Sequence, residues 1–91
     1  MSLHRRNPRR DLNERAIIAA LEACGCSVQP LSAAGCPDLL VGKGGKVALV
    51  EVKQPKGRFK PAQIAWRENW RGPAPVTVRS VDEAIELVRT L

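Results

Sequence analysis

Residues 35–53 read Gly35-Cys36-Pro37-Asp38-Leu39-Leu40-Val41-Gly42-Lys43-Gly44-Gly45-Lys46-Val47-Ala48-Leu49-Val50-Glu51-Val52-Lys53. Two apolar runs flank Gly44-Gly45, a dipeptide suited to a two-residue hairpin turn. With those glycines at the centre of the turn, Lys43 pairs with Lys46, and counting outward brings Asp38 opposite Glu51. Side chains alternate along a strand, so Val47, Leu49, Glu51 and Lys53 share one face. Two carboxylates opposed on one face lie about 5 Å apart at Cβ and repel each other unless something positive stands between them. A divalent cation with hard oxygen ligands suits that position, with Lys53 next on the same face.

Each of these residues also has a plainer reading. Asp38, following Pro37, serves equally as a loop cap, and Glu51 with Lys53 reads as an ion pair at an exposed sheet end. One lysine needs only one carboxylate, however, and charges that continue an apolar strand cost stability unless paired or functional. Asp38, Glu51 and Lys53 together point to metal-dependent phosphodiester hydrolysis.

Working outward, residues from Pro8 or Asp11 to Cys24 have helical spacing. Leu12, Ala16, Ala19, Ala20 and Ala23 form the stripe, widened by Ile17, Ile18 and Leu21 and stopped by Gly25. Glu14 shares the face of Ile17, Ile18 and Leu21; it reads either as a first-turn carboxylate favoured by the helix dipole or as one aimed at the site. Cys26–Leu31 has strand character, and Ser32-Ala33-Ala34-Gly35 is a small-residue loop. After Lys53 comes a basic turn, Gln54-Pro55-Lys56-Gly57-Arg58, and Pro61 then opens a helix to about Arg71, ended by Gly72-Pro73. Gln63 in its first turn faces either solvent or the site, toward Lys53 or a bound phosphate. Trp66 and Trp70 read as core or subunit-interface anchors rather than base-stacking platforms. Val76-Thr77-Val78 is a further strand. Ser80 and Glu83 form a capping box for a last helix with Val81, Ala84, Ile85, Val88 and Leu91 as its apolar residues. The predicted order is α-β-β-β-α-β-α.

The chain has 91 residues, enough for one small domain over 11–91 behind a basic arm at 1–10. A domain of this size gains buried apolar surface by dimerising. The arm carries Arg5, Arg6, Arg9 and Arg10; with Lys56, Arg58 and Lys60 they are candidates for phosphate contacts. The formal net charge of +6 becomes +9 if Glu14, Asp38 and Glu51 are neutralised by metal, which favours a polyanionic partner. No apolar run approaches the ~20 residues that span a bilayer, and no apolar stretch follows the first arginines as in a secretory signal. Cys24, Cys26 and Cys36 are odd in number and are expected as reduced thiols in a cytoplasmic protein. Their spacing is not that of a zinc ribbon. There is no tyrosine for a covalent phosphotyrosyl intermediate, and the one histidine, His4, sits in the arm.

The Pro37-Asp38 … Glu51-Val52-Lys53 signature resembles the PD-(D/E)xK nuclease superfamily, whose restriction-endonuclease-like core is a mixed central sheet flanked by helices. The fuller set is Glu14, Gly35-x-Pro37-Asp38-Leu39-Leu40, Glu51-Val52-Lys53 and Gln63. It resembles the VRR-NUC (virus-type replication-repair nuclease) family in its small stand-alone form, over residues from about 11 to 88. The resemblance implies that Asp38, Glu51 and the Val52 carbonyl ligate Mg²⁺ or Mn²⁺, with Glu14 adding a ligand directly or through water. It implies that Lys53 positions or helps deprotonate the attacking water and that Gln63 orients Lys53 or the scissile phosphate, leaving 5′-phosphate and 3′-hydroxyl ends. It implies DNA as the substrate and, for a stand-alone chain, a homodimer that resolves four-way Holliday junctions. The alternatives are a flap- or nick-directed DNA nuclease of the same fold and a non-catalytic DNA-binding module.

Overall fold

The computed structural model describes the backbone of residues 8–91 and the side chains from residue 13 onward. Arg5 and Arg6 lie outside the described residues, as do the side chains of Arg9 and Arg10. The elements are α1 (Pro8–Ala23), β1 (Ser27–Pro30), β2 (Leu39–Lys43), β3 (Lys46–Val52), α2 (Pro61–Asn69), β4 (Val76–Val78) and α3 (Val81–Thr90). This is the expected order, and α1 takes the earlier of its two possible starts.

The hairpin forms in the expected register. Lys43 pairs with Lys46 and the ladder runs to Leu39 opposite Val50. Gly44 and Gly45 both have positive φ, 58° and 78°, which a two-residue turn matched to the strand twist requires. β1 adds antiparallel to β2, and β4 adds parallel to β3, so the sheet is mixed in the order β1-β2-β3-β4. The parallel pair needs a crossover, and α2 lies in it.

Strand alternation divides the sheet into two unlike faces. Leu39, Val41, Val50, Val52 and Val78 point to the core, where Ile17, Leu21, Ala84 and Leu87 of the helices meet them. α1 packs on α3 and β1, and α3 packs on β4. The opposite face carries Leu49, Glu51, Lys53 and Thr77, and α2 lies over it, through hydrogen bonds to Glu51, Lys53 and Thr77.

The helices depart from the sequence reading in detail. In α1 the inward face is Glu14, Ile17 and Leu21, whereas Ala16, Ala19 and Ala23 are exposed. Small side chains leave room but offer little area, so the branched residues decide which face turns in. In α3 the buried positions are Ala84 and Leu87, with Val88 and Leu91 beside them, and Val81 is exposed. Ser80 Oγ accepts from the Glu83 N–H at 3.1 Å, but the Glu83 carboxylate reaches past Ser80 to the Arg79 N–H at 2.7 Å. α2 ends at Asn69 rather than Arg71 because Trp70 turns extended and its indole N–H donates to the Pro73 carbonyl at 2.9 Å. Trp66 and Trp70 stack on each other, ring centroids 4.7 Å apart, outside the core.

Candidate active site

Asp38, Glu51 and Lys53 are all buried, at 7%, 1% and 8% exposure, although each side chain is ionisable. Local geometry explains how each is held. Asp38 stands one residue before β2; its carbonyl accepts from the Leu31 N–H at 2.8 Å, and its Oδ2 accepts from the Val52 N–H at 2.8 Å. The carboxylate thus takes over the backbone donor of β3 where the hairpin ladder stops, beside Glu51. Lys53 extends β3 by one more bond, its N–H donating to the Val78 carbonyl at 3.0 Å.

Gln63 ties the charges together. Its Nε2 donates to Glu51 Oε2 at 3.3 Å, while its Oε1 accepts from Lys53 Nζ at 2.6 Å and from the Lys60 N–H at 2.8 Å. These neighbours define the amide orientation, since the oxygen meets two donors and the nitrogen a carboxylate. Of the two readings of Gln63, the structure takes the one facing Lys53. Lys53 Nζ also donates to the Arg58 carbonyl at 3.1 Å and lies 5.0 Å from the centre of the Phe59 ring.

Gly35 allows α2 to come this close. Its φ is +76°, and a Cβ there would sit 2.6 Å from the Ala62 carbonyl oxygen. The glycine of the Gly35-Cys36-Pro37-Asp38 stretch therefore seats the first turn of α2, which carries Gln63.

Glu14 is buried at 4% exposure on the inward face of α1, and the adjacent Asn13 donates its Nδ2 to the Lys53 carbonyl at 3.0 Å. The start of α1 thus meets the end of β3. Among the described residues no group of three or more His, Cys, Asp or Glu side chains could hold a metal ion, so Glu14 does not join Asp38 and Glu51 in such a cluster. Two carboxylates still fit Mg²⁺ or Mn²⁺, because a small hard cation commonly takes one or two protein carboxylates and completes its shell with water and substrate phosphate. The pair supplies hard oxygen donors on one sheet face, next to the Val52 backbone.

Lys56, Arg58 and Lys60 are exposed around the turn that follows Lys53. Arg58 and Lys60 line a cavity of about 300 Å³ together with Lys53 and Gln63. The turn is pinned from below by Arg79, whose Nη1 donates to the Gln54 and Gly57 carbonyls at 2.8 and 2.9 Å. Cys24, Cys26 and Cys36 are all free thiols; Cys26 is buried, and that burial pushes its thiol pKa up. Sequence reading passed over Asn13, Phe59, Arg67 and Arg79. For Arg67 the available signal was its place one helical turn after Gln63.

A solved structure described as a VRR_NUC domain superposes on this chain with a TM-score of 0.74 at 28% sequence identity, covering 89% of this chain and 95% of that one. The chain folds as a VRR-NUC domain. No protein-family model matches it, and no curated protein matches it. The VRR-NUC domain here brings Asp38, Glu51, Lys53 and Gln63 to one sheet face and leaves the basic 56–60 turn beside them. No helix among the described residues is long and apolar enough to cross a membrane.

Proposed function

We propose that this chain is a Mg²⁺- or Mn²⁺-dependent DNA endonuclease acting on branched DNA, as a homodimeric Holliday-junction resolvase. Its fold points to a nuclease of the PD-(D/E)xK type. The observation that carries the reading is the bonded set Glu51–Gln63–Lys53 beside the buried Asp38.

Asp38, Glu51 and the Val52 carbonyl would hold the ion, with Glu14 reaching it through a bound water. When bound, the ion polarises a phosphoryl oxygen and acidifies water. Lys53 places its ammonium beside the attacking water and offsets the negative charge that grows on the phosphoryl oxygens. Gln63 keeps that ammonium in line by accepting from it and steers Glu51 through its other end. The water oxygen bonds to phosphorus as the bond to the 3′ oxygen breaks, leaving a 5′-phosphate and a 3′-hydroxyl. Lys56, Arg58 and Lys60 grip the flanking phosphates, with Arg5 and Arg6 of the arm and Arg9 and Arg10 at the start of α1 extending the grip.

Four-way junctions need two symmetric cuts, which a two-fold dimer with two sites supplies. The exposed apolar surface offers a dimer face: Trp70, Leu40, Val47, Leu49 and Pro73 line a cavity of about 320 Å³, with Val47 63% exposed. Three free thiols suit the reducing cytoplasm.

The deciding experiment is cleavage of end-labelled four-way-junction, 5′-flap and linear duplex DNA with Mg²⁺ or Mn²⁺, by wild type and Lys53→Ala. Paired symmetric nicks in the junction, absent in the variant, are expected. Cutting of the flap alone would move the substrate, and binding without any cutting would sink the nuclease reading.

A further inference from the structure

α2 covers the site although it buries none of its residues. Polar contacts and the Gly35–Ala62 approach hold it, and Arg67 provides two of those contacts. Its Nη2 donates to Thr77 Oγ1 at 3.2 Å and its Nη1 to the Pro75 carbonyl at 3.4 Å. Thr77 is the register partner of Glu51 on the neighbouring strand, so Arg67 braces α2 against the strand position next to the carboxylate.

The same guanidinium lies 4.4 Å from the centre of the Phe59 ring, and Lys53 Nζ lies 5.0 Å from that centre. One aromatic ring therefore meets two cations, each attracted by its electron-rich face. Arg67 Nε is buried and has no hydrogen-bond acceptor among the described residues. A buried donor left unmatched is unfavourable, and an apolar side chain of similar length would anchor the helix without it. Holding α2 down does not by itself call for a guanidinium. Stacking on Phe59 while forking to β4 does, because only a planar, multi-donor cation does both.

We propose that Arg67 and Phe59 are positioning residues that set Lys53 and Gln63 for the reaction. The ring confines the Lys53 ammonium to the side where Gln63 and the Arg58 carbonyl accept from it. Arg67 holds the ring in place, and its fork to Thr77 and Pro75 sets the height of α2 at which Gln63 reaches Glu51. The inference rests on the nuclease reading of Lys53 and Gln63.

The test compares wild type, Arg67→Ala, Arg67→Lys, Phe59→Leu and the Phe59→Leu/Arg67→Ala double variant on whichever of the three DNA substrates wild type cuts. Thermal melting and Mn²⁺ titration calorimetry accompany the kinetics. For Arg67→Ala and Phe59→Leu the expected result is a kcat lower by about ten- to a hundredfold, the scale of a small misplacement of reacting groups. KM stays within about threefold, and both variants remain folded at the assay temperature with Mn²⁺ affinity intact. Arg67→Lys does not restore kcat, because an ammonium lacks the planar face and the fork. The double variant is no slower than the slower single one, since both act through one ring. A kcat for Arg67→Ala or Phe59→Leu within twofold of wild type overturns the proposal, as does full rescue by Arg67→Lys or additive losses in the double variant. If Arg67→Ala does not fold, Phe59→Leu and Arg67→Lys decide by the same criteria. Wild type inactive on every substrate removes the nuclease reading and this inference with it, whereas an active wild type with unaffected variants removes this inference alone.

Discussion

The Lys53 ammonium donates to Gln63 Oε1 across 2.6 Å, ten residues apart in the chain and from different elements. The other end of the same amide reaches Glu51 at 3.3 Å. A glutamine is suited to that place because it accepts at one end and donates at the other, so it links an ammonium to a carboxylate without adding charge.

Gln63→Ala is therefore expected to lower kcat by about a hundredfold, with KM little changed, as the ammonium loses its guide. Gln63→Glu keeps an acceptor for Lys53 but sets a second carboxylate against Glu51 where a donor now lies 3.3 Å away, and it is expected to be no more active than the alanine variant. Steady-state cleavage of junction DNA checks both, and near-wild-type kcat in either would remove Gln63 from the site.

Asp38 accepts from the Val52 N–H and is also the proposed metal ligand, and substitutions separate the two roles. Asp38→Asn retains an oxygen for the Val52 N–H and is expected to melt within a few degrees of wild type, yet to bind Mn²⁺ at least about tenfold more weakly. Asp38→Ala loses the oxygen as well, stranding a buried N–H at a cost of about 1–3 kcal/mol. Calorimetric Mn²⁺ titration and denaturant unfolding read the two effects independently. Unaltered Mn²⁺ affinity in Asp38→Asn would argue against a ligand role.

Gly35→Ala places a methyl group 2.6 Å from the Ala62 carbonyl oxygen at a φ of +76°. The strained backbone alone costs about 1–3 kcal/mol, and the clash must push the first turn of α2 outward. The expected outcome is lower stability together with a loss of activity, because Gln63 moves with that turn. A variant that unfolds at a lower denaturant concentration but retains full kcat below its transition would show that α2 need not sit at this height.

Trp70, 42% exposed against the apolar patch of Leu40, Val47 and Leu49, is the residue on which dimerisation is expected to depend. Wild type should scatter light as a particle of twice the chain mass of 9.9 kDa, and Trp70→Ala should approach the monomer. An unchanged mass in the variant would place the dimer face elsewhere.

Some of this architecture was readable before any coordinates. Gly44-Gly45 sets the hairpin turn, and from the turn the register follows by counting, so the ladder that runs to Leu39 opposite Val50, one residue short of Asp38 and Glu51, is a local property of the 35–53 stretch. The inward aim of Glu14 was likewise legible, from helical period. What periodicity does not encode is which partners meet across the layers. The alanines of α1 share helical spacing with Ile17 and Leu21, and only packing against the sheet separates the buried face from the exposed one. Spacing alone lets Gln63 face water equally well; the close approach of Gly35 to Ala62 turns it onto Lys53. Phe59 and Arg67 become neighbours of Lys53 only once the 54–60 turn folds back and α2 lies over the sheet. Backbone geometry carries information a few residues at a time, whereas the charge relations of the site depend on distances between elements, which the packed whole establishes.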